Sequence, residues 1–368
     1  MHHSASSAQT EMSSDEAENE SEYLNLDVTV PSDTGPGQDL PVFIWIHAIT
    51  FCSAASGIYD TTKLVADSIS SGHPFITVAP NYRLNIFGFG DGNGSGKINL
   101  SLKDQELAIY WVRRHISGFG GDPARYTFRP DASFSWRGNV EVFEARAHEL
   151  EDKSLREYSQ KAFQQILTEN NISRLRKRGF QDLAPDGIIS IFTDTNIELD
   201  TKLRKAHGIS PNRPTPNILD ALDFVHDVEY TLPIEHLCKK LATANKRVYR
   251  YLLDEPNPWQ QSARAHYAID LIFLCGGIDI SHKSTAERVD REMRRRWVIF
   301  IHWESPWGEV SPGTTFAFGP YGECEEPNEM RYMTRRRIYT LSLSRKAGIE
   351  SCAAIANALV TGSMNLLN

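Results

Sequence analysis

Short apolar runs alternate with amphipathic stretches over the first third of the chain, and that order sets the fold class. Val42 to His47 is one apolar run, closed by a histidine, and Phe75 to Pro80 is a second. Runs of this length between turn residues predict strands buried on both faces. Thr61 to Ser70, lying between them, has helical spacing. Strand, helix, strand in that order predicts a parallel pair. Leu102 to Ser117 carries Ala108, Val112 and Ile116 at i, i+4 and i+8, with Leu107 and Trp111 on a neighbouring stripe. That face is expected to pack on the sheet. Asn99 or Ser101 can cap this helix, and Asp104 and Glu106 lie in its first turns, where the helix dipole favours acids.

Ahead of these elements, SEYLNLDVTV is strand-like and Ser32 to Asp39 is a turn-rich loop. Beyond them, Val140 to about Glu169 is charged and amphipathic with helical spacing, and Gly208 to Asn217 is a proline-rich loop. A helix at about Pro233 to Asn245 and a strand at Val248 to Leu253 follow. Two more helical segments are expected within Glu287 to Pro306 and Thr334 to Leu359. Residues 1–20 read as a disordered acidic tail and residues 21–368 as a single domain.

Composition narrows the function classes. A net charge of −8 argues against a binder of nucleic-acid backbones, which needs a basic surface. The two basic clusters, Arg291 to Arg296 and Arg335 to Arg337, fall in helical segments and are expected to be solvated helix faces. No stretch has the continuous apolar length of a membrane span. The N-terminus lacks the apolar centre of a secretory leader, so a cytoplasmic location is expected. The five cysteines, Cys52, Cys238, Cys275, Cys324 and Cys352, are scattered and odd in number, which predicts reduced thiols. No phosphate-loop motif, no H-E-x-x-H and no paired-cysteine zinc pattern occurs, so neither cofactor nor metal is expected.

Three segments carry a specific resemblance. PVFIWIHAITF, FITVAPNYRLNIFGF and INLSLKDQELAIYWVRRHISGFGGDP together resemble the type-B carboxylesterase family, cholinesterase-like α/β-hydrolases with a large fungal branch. A second block, Asp227 to Gly277, resembles the later part of fungal members through NPW and AH-x-A-x-DL-x-FL-x-G. The similarity covers about residues 21–128 and 218–308. It implies an α/β-hydrolase fold, a mostly parallel sheet flanked by helices, and a small-molecule ester as partner. Nothing in the sequence speaks to oligomeric state.

The same resemblance exposes what is missing. In the family, FGGDP leads into a strand and then G-E-S-A-G, the sharp turn that carries the nucleophilic serine. Here FGGDP is followed by ARYTFRPDASFSWRGN, and no Gly-x-Ser-x-Gly occurs anywhere. The family's H-G-G-G-F oxyanion loop reads His47-Ala48-Ile49-Thr50-Phe51. Ala48, Ile49 and Thr50 are therefore remnants, and branched Ile49 resists the backbone geometry glycine supplies. Counting back from Gly276, the second histidine of A-H-H-A-V-D-L falls on Tyr267, and His266 matches the first. Tyrosine, with a pKa near 10, is a poor base at neutral pH. The acid loop, ending in E-S-x-x-W-R, aligns with Asp131 to Arg137, which puts the catalytic glutamate on Ala132 with Asp131 beside it.

These readings predict an incomplete α/β-hydrolase fold with the central nucleophile-strand segment missing. The strands beside the gap either close up and pair with each other or stay partly unpaired. They predict a carboxylic-ester hydrolase homologue without an intact catalytic set. Three alternatives stand beside that reading: a non-catalytic binding protein on the same fold, a mis-joined version of an active serine esterase, and a weak esterase using His266.

Overall fold

The computed structural model describes residues 24–47, 59–84, 88, 100–131, 134–137, 197–209, 220–221, 223–245, 247–261, 264–265, 269–309, 315–328, 330–331, 338–348, 351–353 and 355–356. In chain order the elements are β1 (Leu26–Thr29), β2 (Leu40–Trp45), α1 (Thr62–Ser70), β3 (Ile76–Pro80), α2 (Leu100–His115), β4 (Gly121–Asp131) and β5 (Phe134–Arg137). Then come α3 (Ile197–Ala206), α4 (Leu232–Thr243), β6 (Tyr251–Leu253), α5 (Ile269–Cys275), α6 (Ser284–Ile301), β7 (Phe316–Phe318), β8 (Cys324–Glu325) and α7 (Ile338–Ala347). The chain divides into two compact units. One comprises residues 1–168, 251–307 and 317–325, and the other residues 169–250, 308–316 and 326–368.

The first unit is built on a five-stranded sheet in the order β1-β3-β2-β4-β5. β2 runs parallel to both β3 and β4, while β1 and β5 are antiparallel edges. The parallel centre follows from the apolar runs. Val42, Ile44 and Ile46 point to one face and pack with Ile76, Val78, Ile109, Val112, Ile116 and Tyr126. Phe43 and Trp45 point to the other, where Phe43 meets Trp297 of α6 at 5.8 Å between ring centres and Phe75 at 6.5 Å. Period-two alternation with both sets apolar is what a strand covered on both faces requires. The architecture is an α/β-hydrolase fold in incomplete form.

FGGDP launches β4. A short 3₁₀ turn, Ile116–Phe119, ends at Gly120 with φ 87°, and a Cβ there would lie 2.6 Å from the Gly35 carbonyl oxygen. Only glycine fits that left-handed, crowded corner. β4 then pairs with β2 from Val42↔Tyr126 to Trp45↔Arg129. Of the two outcomes anticipated beside the gap, the sheet has closed up. A strand does follow FGGDP, and the sharp serine-bearing turn is what the chain lacks. At the far end of β4 the chain reverses into β5, with Asp131 opposite Phe134. The stretch from Val140 to about Glu169, expected to be helical, lies outside the described residues, as does most of the proline-rich loop from Gly208 to Asn217.

Two expectations for α2 change. Its buried face is Leu102, Gln105, Ala108, Ile109 and Val112, and Leu107 is 61% exposed. The sheet-facing stripe passes through Ile109, Val112 and Ile116, at i, i+3 and i+7, which leaves Leu107 on the far side. Asp104 is not a solvated dipole acid. It is buried and takes Arg83 in a fork, Nε to Oδ2 at 2.7 Å and Nη2 to Oδ1 at 2.5 Å, with the Arg83 backbone N–H at 3.0 Å. That clamp fixes the chain as it leaves β3. The basic cluster on α6 also changes, because Arg294 is buried. It donates to Asp67 at 2.5 Å, to both oxygens of Asp290 and to the Phe273 carbonyl. Arg295 and Arg296 pair with Glu292. Arg335 to Arg337 lie outside the described residues.

β6, β7 and β8 form a three-stranded sheet in that order. The second unit is helical around a core that includes Leu203, Ile209, Phe224, Val225, Val228, Cys352 and Ile355. Cys238, Cys275, Cys324 and Cys352 are unbridged. Among the described residues no helix is long and apolar enough to cross a membrane.

The α2 register gives a direct test. Ile109→Ala should cost about 2–5 kcal/mol in urea unfolding, as for a buried aliphatic side chain. Leu107→Ala should stay within about 0.5 kcal/mol.

Candidate functional site

Parallel β2, β3 and β4 bring their carboxyl ends to one edge of the sheet, where open α/β sheets bind ligands. The residues delivered there are His47 after β2, Asn81, Tyr82 and Arg83 after β3, and Arg129 near the end of β4.

His47 is sealed in. It is 1% exposed, its ring stacks on Tyr82 at 4.6 Å and 19°, and the Tyr82 hydroxyl donates to the His47 carbonyl oxygen at 2.5 Å. Burial pushes its pKa down to about 4 against a smaller opposing effect of a side-chain hydrogen bond with Asn81. The ring is therefore neutral at pH 7 and holds the end of β2 against the β3 exit.

Arg129 is the unexpected residue. It stands in register with Trp45, so both side chains leave the same face of the sheet. The guanidinium lies 5.3 Å from the Trp45 ring centre and 5.0 Å from that of Trp297. Its Nη2 donates to Asp270 Oδ2 on α5, and the Tyr251 hydroxyl donates to the same oxygen at 3.1 Å. Burial opposes the charge, but Tyr251 and Asp270 outweigh it and raise the arginine pKa above its ordinary value. Cys275, one turn further along α5, is pushed up to about 12, mainly by burial, and stays a thiol. The edge thus holds a buried, permanently charged cation and a buried carboxylate, with a half-buried phenol against them. A guanidinium is never a nucleophile or a base at physiological pH.

The sequence-derived positions divide sharply. Ala48, Ile49 and Thr50 lie outside the described residues, as do His266, Tyr267 and Ala132. Asp131 is placed only by its backbone, as the last residue of β4. Sequence reasoning missed Arg129 and Asp270. One signal was available: Asp270 is the aspartate of the AH-x-A-x-DL pattern. Arg129 gave none, because its partner lies far along the chain and no spacing marks the pair.

Comparison with known proteins now bears on the site. Residues 2–129 match the carboxylesterase family model. Over that stretch the chain is similar to carboxylesterases. Lipase 5 of Diutina rugosa is 34% identical over 139 residues, which are 35% of this chain and 25% of that protein. The inactive carboxylesterase-like protein VdtD of Byssochlamys spectabilis is 38% identical over 109 residues, 28% of this chain and 19% of VdtD. The chain thus matches a quarter or less of the length of these relatives. The fold match is wider. The Geobacillus stearothermophilus carboxylesterase EST55 superimposes with a TM-score of 0.59 at 18% identity, over 86% of this chain and 85% of EST55. The match to the carboxylesterase family model stops at Arg129, the residue that turns into the buried ion pair.

Two measurements probe the edge. Asp270→Ala leaves the guanidinium buried without its carboxylate, which should cost about 3–5 kcal/mol. Replacing the pair with Arg129→Met and Asp270→Leu should recover most of that loss in the same urea titration. The second concerns pH. The folded pKa of His47, about 4, lies below the unfolded value of 6.5, so the unfolded chain takes up the proton first. Stability should fall as pH drops from 6.5 towards 4, by on the order of 2 kcal/mol between pH 7 and pH 5. His47→Phe keeps the stacking and should flatten that part of the profile.

Proposed function

We propose that this chain is a carboxylesterase homologue that does not hydrolyse esters. The observation that carries the reading is the absence of Gly-x-Ser-x-Gly from the whole sequence, combined with what stands at the end of the FGGDP strand. Ester hydrolysis by this route needs a nucleophile, a base, an orienting acid and oxyanion donors acting together. The strand that in the family leads to the serine here leads to Arg129, a cation locked between two indoles and a carboxylate. His47 has no path to solvent and holds structure. Ala48, Ile49 and Thr50 replace the glycines of the oxyanion loop, and losing one such donor typically costs a working enzyme about 10²–10³ in rate. Similarity to VdtD, whose name records inactivity, supports the same reading. By family, the partner class is a small-molecule ester.

A second reading is favoured by one observation. The family-model match ends at Arg129, where the family pattern calls for the serine turn. A mis-joined product of a gene for an active serine esterase has this signature. Genomic DNA between the codons for Pro123 and Asp131 decides it: an intact G-E-S-A-G frame there establishes the mis-joined product.

Both readings make this chain inactive. Purified protein should hydrolyse p-nitrophenyl acetate no faster than its His266→Ala variant, and a fluorophosphonate probe should label no serine. Saturable turnover with one serine labelled stoichiometrically would sink the proposal.

A further inference from the structure

Helix α6 carries Arg288, Arg291 and Arg295 at i, i+3 and i+7, which sets three guanidinium groups on one stripe. The stripe lines a groove of about 510 Å³ whose other lining residues are Asp67, Ser70 and Ser71 of α1 and its C-terminal turn, with Glu292 and Val298 of α6. In a chain of net charge −8, this concentration of guanidinium groups stands out.

The local charges are already partly settled. Glu292 is taken by Arg295, Nε at 2.8 Å and Nη2 at 2.7 Å, and by Arg296 Nε at 2.7 Å. Asp67 is taken by Arg294 at 2.5 Å. The Ser70 and Ser71 hydroxyls donate to the carbonyls of Ala66 and Ser68, at 3.0 and 2.9 Å. The groove's acids are thus ion-paired, Glu292 with Arg295 of the groove itself and with Arg296, and Asp67 with Arg294, while the serine protons go to backbone carbonyls. The outer two arginines are also held in place. Arg295 is fixed by its fork on Glu292. Arg288 donates to the Tyr321 carbonyl at 2.9 Å, and it packs where a Cβ on Gly322 would lie 2.7 Å from its Nε and Nη2. Gly322, at φ 78°, leaves that space open. Arg291 sits between them, exposed.

We infer that this groove binds a phosphate-type oxyanion, either inorganic or the phosphate of a monoester. Guanidinium is the side chain whose planar fork of donors matches a phosphate edge. Arginines already held in position lose less freedom when they bind. The inference is independent of the esterase reading, since the groove shares no residue with the edge around Arg129.

Isothermal titration of the full chain at low salt tests it, with inorganic pyrophosphate and phenyl phosphate in separate arms. The expected result is saturable one-to-one binding in at least one arm, and the arm that binds identifies the source. Arg291→Gln should weaken it about tenfold, the usual effect of losing a hydrogen bond to a charged group. Arg288→Gln with Arg291→Gln should abolish it, whereas Arg291→Lys, which keeps the charge but not the fork, should weaken it less than Arg291→Gln does. All three replace exposed side chains, and thermal unfolding should show each variant folded. Arg113→Gln with Arg114→Gln, on exposed positions of α2, should bind as the unaltered chain does. The inference fails if neither ligand saturates, if the Arg288/Arg291 double variant binds normally, or if the Arg113/Arg114 variant weakens binding equally.

Discussion

Arg129 places a full positive charge inside the protein, and the first unit is arranged around the need to neutralise it. Taking a guanidinium out of water is costly unless its donors and its charge are met. Asp270 supplies the countercharge, Tyr251 steadies that carboxylate, and Trp45 and Trp297 cover the guanidinium with π-faces. These five residues come from β2, β4, β6, α5 and α6. One ion pair therefore ties the sheet to its covering helices and to the three-stranded sheet. Arginine suits this place better than lysine, because its planar, weakly hydrated group can stack and fork together. A buried pair of this kind is weak evidence for net stability, but strong evidence that neither partner can be lost alone.

The same edge explains how an esterase-like sheet can stand without the serine-bearing turn. A nucleophile turn needs a strained backbone, and glycines must flank it. Here β4 continues to Asp131 and folds back as β5, so the chain leaves by an antiparallel reversal. β4 still pairs with β2, and the central strands keep their neighbours on both sides. Losing the turn did not cost the sheet its ladder. Fold and catalysis separate because the sheet needs the strand, whereas the chemistry needs the few residues after it.

A second buried network, Arg294 with Asp290 and Asp67, does for α6 what Arg129 does for β4. It joins α6 to α1 and to the end of α5 through the Phe273 carbonyl. With Arg294 of the REMRRR run turned inward, Arg291 and Arg295, together with Arg288 one turn earlier, form the outward stripe. A run of basic residues on a helix thus divides by period, one member into the core and others toward solvent.

The sequence by itself determined the strands of the sheet's centre, their parallel pairing and the resemblance to carboxylesterases, because apolar runs and glycine-dependent corners are local and leave direct marks. It also showed that the nucleophile turn is absent, since that turn depends on a fixed short motif. Tertiary structure decided what the polar side chains do. Asp104 looked like a helix-dipole acid and is a buried clamp on Arg83, and Leu107 looked sheet-facing and is exposed. Arg129, on which the sequence reading was silent, is buried, because its partner Asp270 arrives from 141 positions away in the chain. A charge can be buried only when a countercharge arrives from elsewhere, and sequence spacing does not encode which distant carboxylate will meet which arginine.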